Sequence, residues 1–418
     1  MNKDKQNFIN TKIKMLNWAN QFNIFCLLDN NGYDFETPEF EFILAVGANR
    51  SYHFIGQKDM ENLQSFYDEN PTWLFGHFGY NAMGNAYSKQ TNTSFSDGYF
   101  FEPRIILKFY KNEIELVKGD ISLAEIKLQI ENTPIPIFEK QKNSLEITPQ
   151  ITKEIYLEKI EKLQQHIKRG DCYEINFCQQ FFSDNILINP LEVYKKLITS
   201  SPAPFGSLYK LNENYCLCAS PERFLKKSGT TLISQPIKGT SRRDVDLLKD
   251  KKNKYYLLQS KKEKSENVMV VDLVRNDMSM VCKKGSVKVK ELFGIYSFPQ
   301  VHQMISTIQG LVEKDATFTK LVEACYPMGS MTGAPKQRVM QLIEQYEEKP
   351  RGLFSGSIGY VTPNGNFDFN VVIRSVFYNE IKKQVALFAG SGITFYSNAA
   401  EEYDECMAKL EGMVAVLA

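Results

Sequence analysis

Two stretches of the chain carry the spacing Glu-x-x-Glu: Glu263 and Glu266 ahead of VMVVDLVRND, and Glu402 and Glu405 near the C-terminus. Residues three apart on a helix share a face. In the first stretch Glu263, Glu266, Val270 and Leu273 form one i, i+3, i+7, i+10 stripe, so the carboxylates prolong an apolar face instead of opposing it. Solvated glutamates seldom take that place. Carboxylates directed inward from two helices are an oxygen-ligand set for Mg2+, which takes one or two protein carboxylates and keeps positions for water and substrate. Either pair taken alone is more often a pair of surface glutamates.

Other residues could hold an anion. The run QVALFAGSGI enters a glycine-bounded turn, Gly390-Ser391-Gly392, whose bare amides either cradle a carboxylate or simply make a tight strand exit. Asn398 and Glu401, spaced as a capping box, open the C-terminal helix after it. Alternation along FDFNVVIRSVFY puts Asp368, Asn370, Val372 and Arg374 opposite Phe367, Phe369, Val371 and Ile373. Arg374 there suits either a bidentate carboxylate contact or a structural pair with Asp368. On CYEINFCQQFF, Glu174, Asn176 and Cys178 share a polar face that can line a cavity. The segment GSMTGAPK is not a phosphate loop, since its lysine does not follow glycine and no Ser or Thr follows the lysine.

The elements that must position these residues fall into two parts. Up to about residue 140 the chain reads as strands with few helices: NIFCLLD, FEFILAVG, TWLFGHFGY, and RIILKFY joined to EIELVKG by a Lys-Asn turn. The polar stretch EKQKNSLEITPQ separates these from a helix on which Tyr156, Ile160, Leu163 and Ile167 recur, stopped by Gly170. We place a boundary near residue 145, giving an N-terminal β-rich lobe over 1–145 and a second part over 146–418. Seven strand-like runs follow among helices, and Pro363-Asn364-Gly365-Asn366 marks a hairpin. Hairpins predict antiparallel sheet and an α+β fold.

Composition narrows the partners. Of 418 residues, 50 are Lys or Arg and 49 Asp or Glu, a balance that argues against nucleic acid or an anionic membrane as the main partner. The N-terminus lacks a signal-peptide core and no run approaches a membrane span, so a cytoplasmic protein is expected. The eight cysteines form no CxxC and are expected to be reduced, with Cys216 and Cys218 packed on one strand face. Lys-rich patches such as KDKKNK and SKKEK read as a solvated helix face.

In their order along the chain, RGDCYEINFCQ, ASPERFL, QPIKGTSRR, KSENVMVVDLVRND, VHQMISTIQG, YPMGSMTGAPKQRVM, FSGSIGYV, NVVIRS and AGSGITFYSNAAEEYDECMAKL resemble the chorismate-binding enzymes. That family includes anthranilate synthase and aminodeoxychorismate synthase large subunits, isochorismate synthases and salicylate synthases. WLFGHFGYNAMGN is similar to the family's N-terminal lobe. The resemblance implies a two-lobed antiparallel β-sheet sandwich with flanking helices, of the anthranilate synthase component I type. It also implies Mg2+ as cofactor, held by Glu266 and Glu405 with Glu263 and Glu402 close by, and chorismate as substrate. Tyr360, Arg374, Lys409 and the amides of Gly390 and Gly392 would bind carboxylates, and Thr240 would sit near the ring hydroxyl. Glu222 matches the general acid that protonates that hydroxyl as it leaves, which calls for a raised pKa.

Two positions speak to the branch. Water-adding members have a lysine base where this chain has Glu174, and lysine in PIKGT, Lys238, is similar to the aminodeoxychorismate synthase signature. That branch uses ammonia. Its proposed mechanism has the lysine amine attack the ring as hydroxide leaves, after which ammonia displaces it. Such a lysine must be neutral, so its pKa must fall from about 10.4, the direction in which Mg2+ and partial burial push. The alternative is that Lys238 only binds a carboxylate. No cysteine sits in a GxCxG elbow, so ammonia must come from outside; the resemblance implies a separate glutamine amidotransferase subunit, in a heterodimer, that delivers it, and a second enzyme that would release pyruvate to give 4-aminobenzoate for folate. Two other readings are anthranilate synthase component I and a catalytically silent chorismate-binding subunit. The family's histidine falls at Gln303 here, with His302 one position earlier, and the arginines after the lysine motif are respaced as Ser241, Arg242 and Arg243.

Overall fold

The computed structural model describes residues 3–33, 40–56, 58–83, 95–111, 113–134 and 145–417. Among these, nineteen strands connect through hydrogen bonds, and every pairing is antiparallel. Helices flank them, as in an α+β protein. The hairpin expected at 363–366 joins Ser357–Val361 to Phe367–Asn370, with Gly365 at φ 68°, the left-handed conformation such a turn requires. The strands Gly98–Tyr110 and Glu113–Lys118 pair as predicted, while Asn112 of their turn lies outside the described residues. So do Gly84 and Asn85 of the WLFGHFGYNAMGN motif.

Many strands are apolar on both faces, and each face feeds a different core. On Asn214–Ser220, Cys216 and Cys218 enter one cluster, whereas Tyr215, Leu217 and Ala219 enter the other. On Phe42–His53, Ile43 and Ala45 are likewise divided from Phe42, Leu44 and Val46. The first core consists largely of strand aromatics such as Phe75, Phe100 and Phe369. The second lies between the sheet and helices that include Lys153–Lys168, Pro190–Ser200 and Ala399–Val414.

The N-terminal segment contains helices Asp59–Asp68 and Leu123–Asn132 and begins with Lys3–Ala19, more helix than the strand-dominated reading expected. Sheet pairing also runs across residue 145: Ile24–Asp29 lies between Phe42–His53 and Phe205–Leu211, and Leu74–Phe78 pairs with Ser357–Val361. Residues 135–144, which lead to that position, lie outside the described ones.

Three devices aim the chemistry-bearing residues. Helix Lys261–Ser279 buries Val270, Val271 and Val274 in the first core, at roughly 1.5–3 kcal/mol for each fully buried side chain. That anchors its C-terminal half and leaves Glu263 and Glu266 at its beginning, where Ser260 caps by accepting from the Glu263 amide at 3.2 Å. Its buried stripe passes through Asn267, Val270 and Val274, and Leu273 is only partly buried. Strand Ile237–Arg242 packs against this helix, and Glu174–Ser183 pairs with Gln384–Ile393 to form the floor opposite.

Candidate active site

Lys238 and Glu174 form the centre of the site. Their side chains make a close ion pair, 12% and 3% exposed respectively. Asn267 holds the lysine's strand, donating from Nδ2 to the Lys238 carbonyl at 3.3 Å while its Oδ1 accepts from Ser306 at 2.6 Å. Burial pushes the Lys238 ammonium down, but Glu174, Glu266 and Glu222 together outweigh it and hold the group above its ordinary value. The fall in pKa expected from the sequence is therefore absent from the free protein, because a carboxylate occupies the contact. The second Glu174 oxygen, Oε2, is buried without a hydrogen-bond partner.

Glycines make room for this pair. A Cβ on Gly392 would stand 2.8 Å from Glu174 Oε1 and 3.0 Å from Lys238 Nζ. Gly239, at φ 97°, breaks the register of the lysine strand, and a Cβ there would meet Glu263 Oε2 at 3.0 Å. Gly390 and Gly392 do not form the expected turn. They lie within the ten-residue strand Gln384–Ile393, opposite Cys178 and Asn176.

Glu222 is 4% exposed, and burial raises its carboxyl to about 7 against the opposing pull of Ser330, Lys238 and Arg374. A carboxyl in this range can donate a proton near neutrality. The long strand expected around Arg374 is broken at 371–374, where Arg374 adopts φ 52°. The turn takes Arg374 out of the predicted alternation and towards Glu222. Asp368 is occupied by Arg223, at 2.9 and 3.0 Å, so it is not the arginine's partner. The Arg374 guanidinium has no ion pair among the described residues, and burial lowers its pKa with Glu222 acting the other way. An unpaired half-buried guanidinium is suited to an arriving carboxylate.

The four glutamates expected at a metal all lie within electrostatic reach of one ammonium, that of Lys262. Glu263, Glu266, Glu402 and Glu405 all raise the pKa of Lys262, whose ammonium stands 4.0 Å from Glu266. Desolvation pushes Glu266 to about 7 and Glu263 upward, with neighbouring carboxylates adding to both. Glu402 is 4% exposed, and its carboxylate has no hydrogen-bond partner among the described residues. Glu405 is the exposed member. Desolvation raises it, but Lys409 at 2.7 Å, Lys262 and Lys238 bring the net value down. Among the described residues no group of three or more His, Cys, Asp or Glu side chains is placed to hold a metal ion. Mg2+ asks for fewer protein ligands, and desolvated, mutually repelling carboxylates on two helices fit its preference for one or two such ligands plus water and substrate.

Several expectations need correction. Tyr360 does not join the site. Its register partner is Asp368, it packs on Phe40, Trp73 and Phe75, and it lines a separate cavity of about 1290 Å3 with Arg223 and Asp368. Glu222 is not among the residues lining that cavity. Lys409 is committed to Glu405 and to the Gly390 carbonyl at 2.8 Å. Thr240 is exposed at the rim, opposite Gln303. His302 faces away and is held by Asp250 and Ser297 at 3.1 and 2.8 Å.

Sequence reasoning also missed Glu347 and Arg351. Arg351, 1% exposed, pairs with Glu347 at 2.7 Å and donates to the carbonyls of Met331 and Asn176. Glu347 accepts from the Cys178 amide at 2.9 Å. The pair ties GSMTGAPK to the polar strand, and only its i, i+4 spacing was visible beforehand. GSMTGAPK itself pairs Gly333 and Ala334 with Ile175 and Glu174, and Lys336 binds Asp277 at 2.6 Å, as befits a structural segment.

The site brings together a buried lysine, a protonatable carboxyl, an arginine without an ion pair among the described residues and acidic side chains from two helices. The chain belongs to the chorismate binding enzyme family, whose profile matches residues 27–415. It is similar to the chloroplastic aminodeoxychorismate synthase of Arabidopsis thaliana, 37% identical over 284 residues, which are 67% of this chain and 31% of that protein. It is equally similar to aminodeoxychorismate synthase component 1 of Escherichia coli K12, 37% identical over 267 residues, 64% of this chain and 58% of that one. The matched segment thus spans less than two thirds of either relative. Among solved structures, anthranilate synthase component I from Streptococcus pneumoniae superposes with a TM-score of 0.77 over 91% of this chain and 94% of its own, at 24% identity, which establishes the shared fold.

Proposed function

We propose that this protein aminates chorismate at the ring carbon bearing the hydroxyl, giving 4-amino-4-deoxychorismate, with Mg2+ bound and with ammonia supplied by a glutamine amidotransferase subunit. The observation that carries the reading is Lys238, buried in PIKGT beside Glu222 and paired with Glu174 where a water-activating lysine would otherwise stand. The names of the Arabidopsis and E. coli relatives support it. The shared fold does not separate para from ortho amination, since its neighbour is an anthranilate synthase component.

Arg374 and the rim residue Thr240 would orient the substrate, and Glu222 would protonate the departing hydroxyl. Glu266 and Glu405, with Glu263 and Glu402 beside them, would hold Mg2+, which when bound neutralises a substrate carboxylate. As nucleophile, Lys238 must first lose a proton, and Glu174 is the acceptor in contact with it. The residues of this site all come from the part after residue 145, which supports assigning catalysis to 146–418. Among the described residues no helix is long and apolar enough to cross a membrane, and all eight cysteines are unpaired, in keeping with a reducing cytoplasm.

The test is to incubate the purified protein with chorismate, Mg2+ and an ammonium salt, following product mass and pyruvate. Consumption of chorismate to an amino product without pyruvate is expected. Fluorescent anthranilate with stoichiometric pyruvate would establish the ortho reaction instead, and unchanged chorismate would establish a silent subunit.

A further inference from the structure

Lys336, the lysine of GSMTGAPK, is tied to helix Lys261–Ser279 and not left in solvent. It pairs with Asp277 at 2.6 Å and donates to the Cys325 carbonyl at 3.3 Å. The lysine side chain is 16% exposed and the aspartate 6%, so the pair reaches from the surface inward. Asp277 in turn lines a cavity of about 10 Å3 whose wall also includes Glu222 and Ser330. Lys238, Glu174, Arg374 and Glu266 do not line it, so it meets Glu222 apart from the residues that would face the substrate. That volume is the threshold for one water, which needs about two to four polar partners. Glu222, Asp277 and Ser330 can supply them. The Ser330 hydroxyl is buried without a formed hydrogen bond, yet stands near enough to Glu222 to stabilise its anion. Of the other polar side chains around the cavity, Arg223 is engaged by Asp368, and Ser234 donates to the Phe224 carbonyl at 2.7 Å.

We propose that Lys336, Asp277 and one water in this cavity form a path that returns a proton to Glu222 after each turnover, outside the substrate pocket. The inference rests on the amination reading above and adds what that reading leaves open, the source of the acid's proton. The balance requires one. The C–O bond breaks as Glu222 gives its proton to the departing oxygen, which leaves as water, and a C–N bond forms to ammonia. The product amine is basic and leaves as an ammonium carrying all three protons of ammonia. Glu222 is then a carboxylate, and one solvent proton must reach it before it acts again. Lys336 meets solvent, Asp277 contacts Lys336, and Asp277 shares a cavity with Glu222. Desolvation raises the Asp277 carboxyl against the pull of Lys336, which brings its protonated form within reach of a transfer. The Lys336 ammonium gives up a proton through Asp277 and the water to Glu222, and the lysine regains one from solvent. The rival account is a pair that only fastens GSMTGAPK to the helix.

Lys336→Arg separates the two. Arginine keeps a cation for Asp277 but does not give up its proton, so a fastening role survives the change and a transfer role does not. Asp277→Asn removes the carboxylate itself, and thermal midpoints of both variants establish that the fold is kept. Rapid quench with chorismate, Mg2+ and an ammonium salt measures the first turnover and the steady state separately. The assay is run below pH 7, where Glu222, held at about 7, begins protonated. The first turnover in both variants is expected within about 2-fold of wild type, and the steady-state rate at least about 10-fold lower. Raising the concentration of imidazole buffer, whose acid form reaches Glu222 once product has left, speeds the variants and leaves the wild type unchanged. A crystal structure of the free wild-type protein is expected to show one water within hydrogen-bond distance of both Glu222 and Asp277. Wild-type steady-state turnover in Lys336→Arg overturns the proposal, and so does a first turnover slowed as much as the steady state. A cavity without that water overturns it too. Because the crystallographic result needs no turnover, wild-type failure to consume chorismate would count against the amination reading, and the cavity's water would then decide for or against the path.

Discussion

Replacing Lys238 with Met tests the arrangement at its centre. The Lys238–Glu174 pair is withdrawn from solvent, at 12% and 3% side-chain exposure, and Glu222 and Glu266 add negative potential around the lysine. Met keeps the length and apolar stem of lysine and removes the charge, leaving Glu174 buried opposite nothing. Breaking one side of a buried pair costs about 3–5 kcal/mol, most of it the desolvation of the abandoned partner. Removing both charges is far less damaging, so Lys238→Met combined with Glu174→Gln should regain most of the loss, and the double-mutant cycle should return a coupling energy of about 2–3 kcal/mol. Urea unfolding followed by fluorescence provides the free energies. The pair is shielded, so the cost should change little with salt. Activity is not expected to return in the double variant. A single variant within about 1 kcal/mol of wild type, or a double variant no more stable than the single, would refute the reasoning: the pair would then be solvated and without influence on Lys238.

Three further outcomes follow from the same geometry. Glu222 is held near 7 in the free protein, so kcat/KM should fall as pH rises through about 7, as the acid loses its proton, and Glu222→Gln should lower kcat by about 10²–10⁴-fold and abolish that limb. A flat profile across that range would remove Glu222 from the acid role. Gly392→Ala should cost at least 10-fold in kcat/KM, on the order of 1.4 kcal/mol, because its Cβ collides with Glu174 and Lys238, whereas Gly412→Ala, which meets nothing within 4 Å, should be neutral or stabilising. Wild-type kinetics in Gly392→Ala would show that the pair has slack. Glu266→Gln should abolish both Mg2+-dependent turnover and the rise in thermal midpoint that Mg2+ gives the wild type, with retention of either counting against the ligand assignment.

Much of the fold and site was readable from residue spacing, and what was not has physical reasons. Hairpin chemistry at Asn364-Gly365 and alternation on Asn214–Ser220 are local, so they survive into the structure. Glu263 and Glu266 were found because an i, i+3 pair on a helix keeps its face. Arg374 was singled out by a route the structure does not follow: alternation assumes an unbroken strand, and a left-handed φ at that residue redirects it. Gly390-Ser391-Gly392 looks like a turn because glycine is permissive, yet here small size serves close approach across a ladder. Tyr360 misled because a motif does not say which face of a sheet a residue occupies. The Glu174 partner of Lys238 lies 64 residues away, and the lysine's raised pKa depends on that contact, which no local pattern encodes.

The most direct measurement follows the nitrogen atom. With 15N-ammonium, chorismate and Mg2+, NMR of the product should place 15N on the ring carbon that bore the hydroxyl, with the enolpyruvyl group retained. Nitrogen on the carbon adjacent to the ring carboxylate, accompanied by pyruvate, would contradict the assignment that rests on Lys238.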